Sequence, residues 1–261
     1  MQALRIAATG MAAQELNVEV ISHNIANMRT TGYKRNRAEF QDLLYQNLRR
    51  VGSATSDAGT IVPTGLQVGM GVKTAATSRI MSQGSVTMTE KDLDVAIRGE
   101  GFFRISLPDG RTAYTRDGSF EIDANGQLVT VDGYTVQPGV VIPDNARSVT
   151  ISQTGTVQVQ LDDDTAQTDV GTIDLARFVN PAGLEAIGEN LFLETDASGA
   201  EQTGTAGSEG YGTLLQGYLE DANVNAVAEI SDLISAQRAY EMNARIISAA
   251  DEMMSATSNL R

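Results

Sequence analysis

The single histidine, His23, is the first residue that could do chemistry. An imidazole can act as a general base or bind zinc, but it needs an orienting partner for the first and companion ligands for the second. The chain has no second His and no Cys. Thiolate metal sites, Cys nucleophiles and disulfide frameworks are excluded, and His23 is expected to pack or to serve an interface. Carboxylates are densest at Asp162-Asp163-Asp164. Paired acids can hold Ca²⁺ or cleave glycosides. Successive strand residues face opposite ways, however, so three in a row suit a solvated turn better. Asp123-Ala124-Asn125-Gly126 opens like a calcium loop, but the later ligands and the closing Glu are not at the required spacing. A hairpin turn is expected there. Gly99-Glu100-Gly101 is too short for a phosphate cradle and reads as a kink or bulge in a strand. No P-loop, zincin helix or nucleophile elbow occurs. No catalytic residue, cofactor or metal is expected.

The elements around these residues carry more information. Near the N-terminus Leu4, Met11, Val18 and Ile25 form a row repeating every seven residues, with Ala7, Gln14, Ile21 and Met28 three residues on. Near the C-terminus Leu233, Tyr240, Ile247 and Met254 form a second row, accompanied by Ala236, Asn243, Ala250 and Thr257. Strict sevens mark a helix–helix seam, because under-winding to about 3.5 residues per turn keeps one stripe on its partner. Residues 1–28 hold only Arg5, Glu15 and Glu19 as charges, so that helix is expected to be buried nearly all round or to await burial. The last helix, starting at an Asn223 or Asn225 cap, carries Glu229, Asp232, Arg238, Glu241, Arg245, Asp251 and Glu252 on a face expected to be wet. These two rows are the expected subunit-packing residues. A coiled-coil fibre subunit would share them.

Between the helices the chain reads as β. Residues 51–78 are rich in Gly, Ser, Thr and Ala. Leu66, Val68, Met70 and Val72 alternate there; with Ile61 and Val62 before a turn at Pro63-Thr64-Gly65 they suggest a β-hairpin arm. Phe40, Leu43 and Leu44 suggest a short amphipathic continuation of the first helix, with Tyr45 and Leu48 behind it. Strands are expected at Val95–Ile97, Phe102–Leu107, Thr112–Thr115, Ser119–Asp123, Gln127–Val131, Val149–Ile151, Val157–Leu161, Thr172–Val179 and Leu191–Leu193. Turns such as Pro108-Asp109-Gly110, Asn125-Gly126 and Asp132-Gly133 punctuate them. The expected fold class is α+β. Long N- and C-terminal helices pack together in a coiled-coil-like way, an extended β-hairpin arm follows the first, and an antiparallel β-rich barrel or sandwich forms a domain of its own. The divisions are 1–30, N-terminal helix; 31–78, connecting segment with the arm; 79–220, β-rich domain; and 221–261, C-terminal helix.

Charge narrows the partners. Net charge is −14, which disfavours nucleic acid as the main ligand. Residues 29–50 nevertheless hold six bases (Arg29, Lys34, Arg35, Arg37, Arg49, Arg50) against two acids, while residues 151–222 hold thirteen acids against Arg177. The basic patch is expected to meet an acidic surface such as that of a neighbouring copy. No stretch approaches transmembrane length, so no membrane insertion is expected. The start, MQALRIAATGMAAQELN, lacks a basic cluster followed by an apolar run, so export without a cleavable signal peptide is the expectation.

Three blocks in order carry a family resemblance. SHNIANMRTTGYKRNRAEFQDLLYQ (22–46) resembles the N-terminal signature of bacterial flagellar basal-body rod and hook proteins. LDVAIRGEGFF (93–103) with YTRDGSFEIDANGQLVTVDGYTVQPG (114–139) resembles their central β-domain, and QGYLEDANVNAVAEISDLISAQRAYEMNARIISAADEMM (216–254) their C-terminal signature. The length, and the extended stretch 42–73, are similar to those of the family's distal rod members. A proximal rod or hook protein of the same family is the alternative. The resemblance implies a structural subunit of many copies forming a rigid helical tube, which carries torque from proximal rod to hook and encloses part of an export channel. It also implies a periplasmic location in the basal body. The implied partners are proximal rod proteins, the hook protein, the surrounding L/P ring bushing, a rod cap and the flagellar type III export apparatus.

Overall fold

The computed structural model describes residues 2–49, 64–162 and 166–259. Two compact units are present. One joins Met1–Ile25, Asn36–Ser78 and Asn225–Arg261; the other joins Ala26–Arg35 and Arg79–Val224. The fold is α+β, with the N- and C-terminal helices packed together in the first unit and many antiparallel strands.

In the first unit α1 spans Gln2–Ala26 and α2 spans Ala226–Asn259. Asn225 caps α2: its side-chain oxygen accepts from the N–H of Val227 at 3.1 Å and of Ala228 at 3.2 Å, satisfying donors that have no partner within the helix. Gly10 of α1 faces Asn243, so closely that an added Cβ would come within 2.9 Å of its amide nitrogen. Asn24 faces Glu229. Early residues of α1 thus meet late residues of α2, and the helices run antiparallel.

Four strands complete this unit: β1 (Asn36–Asp42), β2 (Tyr45–Arg49), β3 (Leu66–Gly69) and β4 (Val72–Arg79). β1 pairs with β4, and β2 runs antiparallel to β3 with Tyr45 opposite Gly69 and Arg49 opposite Leu66. This corrects the helical reading of Phe40, Leu43 and Leu44. Their i, i+3, i+4 spacing suits a helix, but residues 66–79 supply a strand partner, and long-range pairing decides where local periodicity is short. It also changes the arm: the strand opposite Leu66–Gly69 is Tyr45–Arg49. Ile61, Val62 and Pro63 lie outside the described residues.

The second unit is built on a nine-stranded sheet that does not close into a barrel. Phe102–Ser106 is its centre. Thr112–Thr115 pairs along one edge, followed by Leu191–Leu193 and Glu185–Gly188. Along the other edge Thr135–Val136 pairs with its second half and Asp174–Arg177 with its first. Leu128–Thr130 and Phe120–Ile122 continue the first of these branches, and Gln202–Thr205 the second. A separate three-stranded sheet joins Ala146–Ile151, Thr156–Leu161 and Gln167–Thr172. Alternation puts neighbours of one strand into different cores. Phe103 enters the main core with Phe120, ring centroids 5.0 Å apart and edge to face, while Phe102 enters a smaller cluster with Phe178 and Phe192.

The residues first questioned for chemistry are turn residues or exposed. Asp123 accepts from the N–H groups of Asn125 and Gln127 at 2.9 and 2.7 Å, and the Gln127 bond leads in holding its carboxyl below the usual range. Gly99 and Gly101, both at positive φ, link two strands. Asp162 stands in an exposed turn and His23 on an exposed part of α1; Asp163 and Asp164 lie outside the described residues. Among the described residues no acid, His or Cys cluster is arranged to hold a metal, and no helix is long and apolar enough to cross a membrane.

Candidate assembly interface

The seam between α1 and α2 closes on small members of the companion rows and on Ala13. Ala7, Ala13 and Ile21 of α1 and Ala236 and Ala250 of α2 are buried, with Gly10 against Asn243 between them. Small side chains let the two backbones approach. The larger rows flank this seam and remain open. Leu4, Met11, Val18 and Ile25 are half-buried, as are Leu233 and Ile247, while Tyr240 and Met254 are each 43% exposed. α2 further exposes Val227, Ile230, Ile234, Met242, Ile246 and Met253. This concentration of exposed aliphatic side chains on one helix pair makes it the candidate interaction face.

One end of the seam is polar and closed. Asn24, 1% exposed, donates to the Asn36 carbonyl at 2.8 Å and to the Glu229 carboxylate at 3.1 Å, and accepts from the Asn36 N–H at 2.9 Å. It thereby ties the end of α1, the start of β1 and the first turn of α2. Glu229, expected on the wet face, is instead 2% exposed. Its place in the first helical turn suits its charge, but its partner is more than two hundred residues away in sequence and left no local signal.

The ribbon of β1–β4 is held on α1. At Gly71 φ is +117° and an added Cβ would lie 2.3 Å from the Thr9 hydroxyl. Thr9 accepts from the Val72 N–H at 3.4 Å and donates to the Ile6 carbonyl at 2.8 Å. Farther along, Gln2 donates to the Gln46 side chain. The ribbon end is apolar and open, with Leu44 87%, Leu48 58% and Leu66 55% exposed. Val68, Met70 and Val72 are half-buried.

In the β unit, sequence reasoning missed a buried charge cluster. Lys34, Arg116 and Glu220 are all buried. Lys34 donates to the Glu220 carboxylate and, at 2.9 Å, to the Ser82 carbonyl. Arg116 donates to the other Glu220 oxygen at 3.3 Å, and the Gly84 N–H to the first at 2.9 Å. Asn223, a candidate cap by sequence, instead accepts from the Arg35 N–H at 2.7 Å and donates to the carbonyls of Ile80 and Ser82. Desolvation pushes Lys34 below its ordinary value, with Glu220 opposing; Arg116 is lowered for the same reason. The basic patch of 29–50 is correspondingly smaller than its sequence count, because Lys34 is internal and Arg37 is bonded to Glu39 at 2.9 Å.

Three family profiles match in the order of these elements. The profile described as flagella basal body rod protein covers residues 4–34, that of the flagellar hook protein FlgE/F/G D1 domain 96–159, and that of the flagellar basal body rod FlgEFG protein C-terminal region 215–260. Full-length relatives agree. The flagellar basal-body rod protein FlgG of Caulobacter vibrioides is 60% identical over the whole of both chains. That of Agrobacterium fabrum is 51% identical over 99% of this chain and 98% of its own, and that of Borreliella burgdorferi 49% over 100% and 99%. The chain belongs to the flagellar basal-body rod protein family. It is a structural subunit of the distal rod in the flagellar basal body, not an enzyme. Each matched block of this rod protein contributes one member of the buried cluster: Lys34 the first, Arg116 the second and Glu220 the third.

Proposed function

We propose that this rod subunit assembles with many copies of itself into a rigid helical tube. The tube carries torque from the proximal rod to the hook and encloses part of the export channel. In this reading 1–30 and 221–261 form the inner core, 31–78 the connecting arm and 79–220 the outer domain. The subunit-packing residues are Leu4, Met11, Val18 and Ile25 with Leu233, Tyr240, Ile247 and Met254. Leu66, Val68, Met70 and Val72, with Ile61, Val62 and Pro63 of the undescribed stretch, form the inter-subunit arm. The observation that carries the proposal is the open apolar surface flanking a seam already closed by smaller residues. A monomer gains nothing by leaving those side chains in water, whereas burial between copies returns about 25 cal/mol per Å².

The nearly uncharged α1 lies within the wall, and α2, which keeps Arg238, Glu241 and Arg245 exposed, faces the channel. Proximal rod proteins, the hook protein, the L/P ring bushing, the rod cap and the type III export apparatus are the proposed partners. Replacement of the Caulobacter vibrioides relative tests the assignment. Swimming cells with complete basal bodies are expected; cells that make the protein but build no rod beyond its proximal part would count against it.

A further inference from the structure

A groove of roughly 400 Å³ opens between α1 and α2, lined by Glu15, Val18, Glu19, Gln237, Tyr240 and Glu241. Its apolar surface is Val18 and the Tyr240 ring, and three carboxylates stand around it. We propose that this groove receives the ribbon end of a second copy, with Leu44 and Leu48 against Val18 and Tyr240 and Arg49 among the carboxylates. The proposal rests on the assembly reading and specifies one of its contacts.

Three observations carry it. The ribbon end has the matching surface: Leu44 and Leu48 are among its most exposed aliphatic side chains. Charge is complementary, since Arg49 is the one charged side chain among the described residues 43–49 and 64–72. Finally, the described ribbon residues do not reach the groove of their own chain. Gln2 holds Gln46 at the start of α1, and at a rise of 1.5 Å per residue Val18 stands about 24 Å farther along the axis. Leu44, Leu48 and Arg49 can therefore meet such a groove only in another molecule.

The absence of Cys makes the test direct. Chains carrying only Val18→Cys are mixed with chains carrying only Leu48→Cys, assembled together and mildly oxidised. Neither thiol has a partner in its own chain, so a mixed disulfide dimer reports the contact between copies. The expected result is that dimer in assembled tubes. It should fall several-fold when Glu19 and Glu241 are both changed to Lys, and recover when Arg49→Glu is added to the partner. Tubes that form without the mixed dimer overturn the docking and leave the assembly reading intact. Failure of the unmodified chain to assemble removes both. Should the thiol variants alone fail to assemble, the charge exchange in Cys-free chains decides: assembly lost with Arg49→Glu and regained with Glu19→Lys plus Glu241→Lys supports the contact, and no recovery overturns it.

Discussion

Lys34 and Glu220 form an ion pair with no exposed side-chain surface, joining the segment that follows α1 to the segment that precedes α2. Arg116 shares the same carboxylate, so two buried cations depend on one anion. The segments leading to both helices are thereby fixed on the β unit by charge as well as by the backbone bond from the Gly32 N–H to the Glu220 carbonyl at 2.7 Å.

Loss of the shared anion should cost more than loss of one cation. Glu220→Gln leaves both Lys34 and Arg116 uncompensated and should destabilise the protein by about 3–5 kcal/mol, the usual cost of breaking a buried pair. Lys34→Met leaves the Arg116–Glu220 pair and should cost less. Denaturant unfolding of the two variants orders them; equal losses would contradict the shared-anion account.

The same cluster predicts a pH dependence. Lys34 is held below the ordinary lysine value of 10.5, chiefly by desolvation, then opposed by Glu220 and pushed further by Arg116. The unfolded chain therefore binds this proton more tightly than the folded one. Burying the charge costs most below the folded pKa, and the cost is relieved as pH rises through that value toward 10.5. Relative to Lys34→Met, the unmodified protein should gain stability as pH rises from the lowered folded value of Lys34 toward 10.5. Parallel thermal-unfolding curves for the two proteins would refute the link.

Gly32 should not tolerate a side chain. Its φ is +66°, and an added Cβ would lie 2.7 Å from the backbone of Arg116 and of Asp117. Gly32→Ala should cost more than the roughly 1 kcal/mol of left-handed strain alone, because backbone atoms cannot step aside. Faster amide exchange at Gly32 and neighbouring residues is the expected sign; unchanged protection would show that the turn has room.

Asn24→Ala should loosen the polar end of the seam. It removes the side chain's bonds to the Asn36 N–H and carbonyl and to the Glu229 carboxylate. A loss of about 2–3 kcal/mol follows from three hydrogen bonds removed at a buried site, one of them to a charged group. Asn24→Asp should do no better, since it sets a second carboxylate against Glu229. Unfolding midpoints of both variants check this, and a stable Asn24→Asp would contradict the hydrogen-bond assignment.

Tyr240→Asp should separate folding from assembly. The ring is 43% exposed in one chain, so the monomer keeps its fold, while the charge adds to Glu15, Glu19 and Glu241 around the groove. Light scattering should show assembly lost with an unchanged circular dichroism spectrum. Normal assembly would remove Tyr240 from the interface.

Much of the β unit was legible because its turns are chemically explicit. Strands at Thr112–Thr115 and Leu191–Leu193 fall where Gly, Asn and Asp bounded them. Both terminal helices were legible from sevenfold repeats. What failed depended on distant partners. Phe40 and Leu43 took helical spacing but found strands at 66–79. Glu229 and Lys34 looked like surface charge, and only the fold brings Asn24 to the first and Glu220 to the second. Sequence also could not tell which of two adjacent rows closes the intramolecular seam, since Ala7 and Leu4 are equally compatible with the repeat.

Electron cryo-microscopy of the assembled protein tests the central claim most directly. The account predicts helical tubes with a central channel, terminal helices in the inner wall, and Leu4, Met11, Val18, Leu233, Tyr240 and Ile247 covered by neighbouring copies. Tubes in which those side chains face solvent, or a protein that stays monomeric while its relatives assemble under the same conditions, would contradict it.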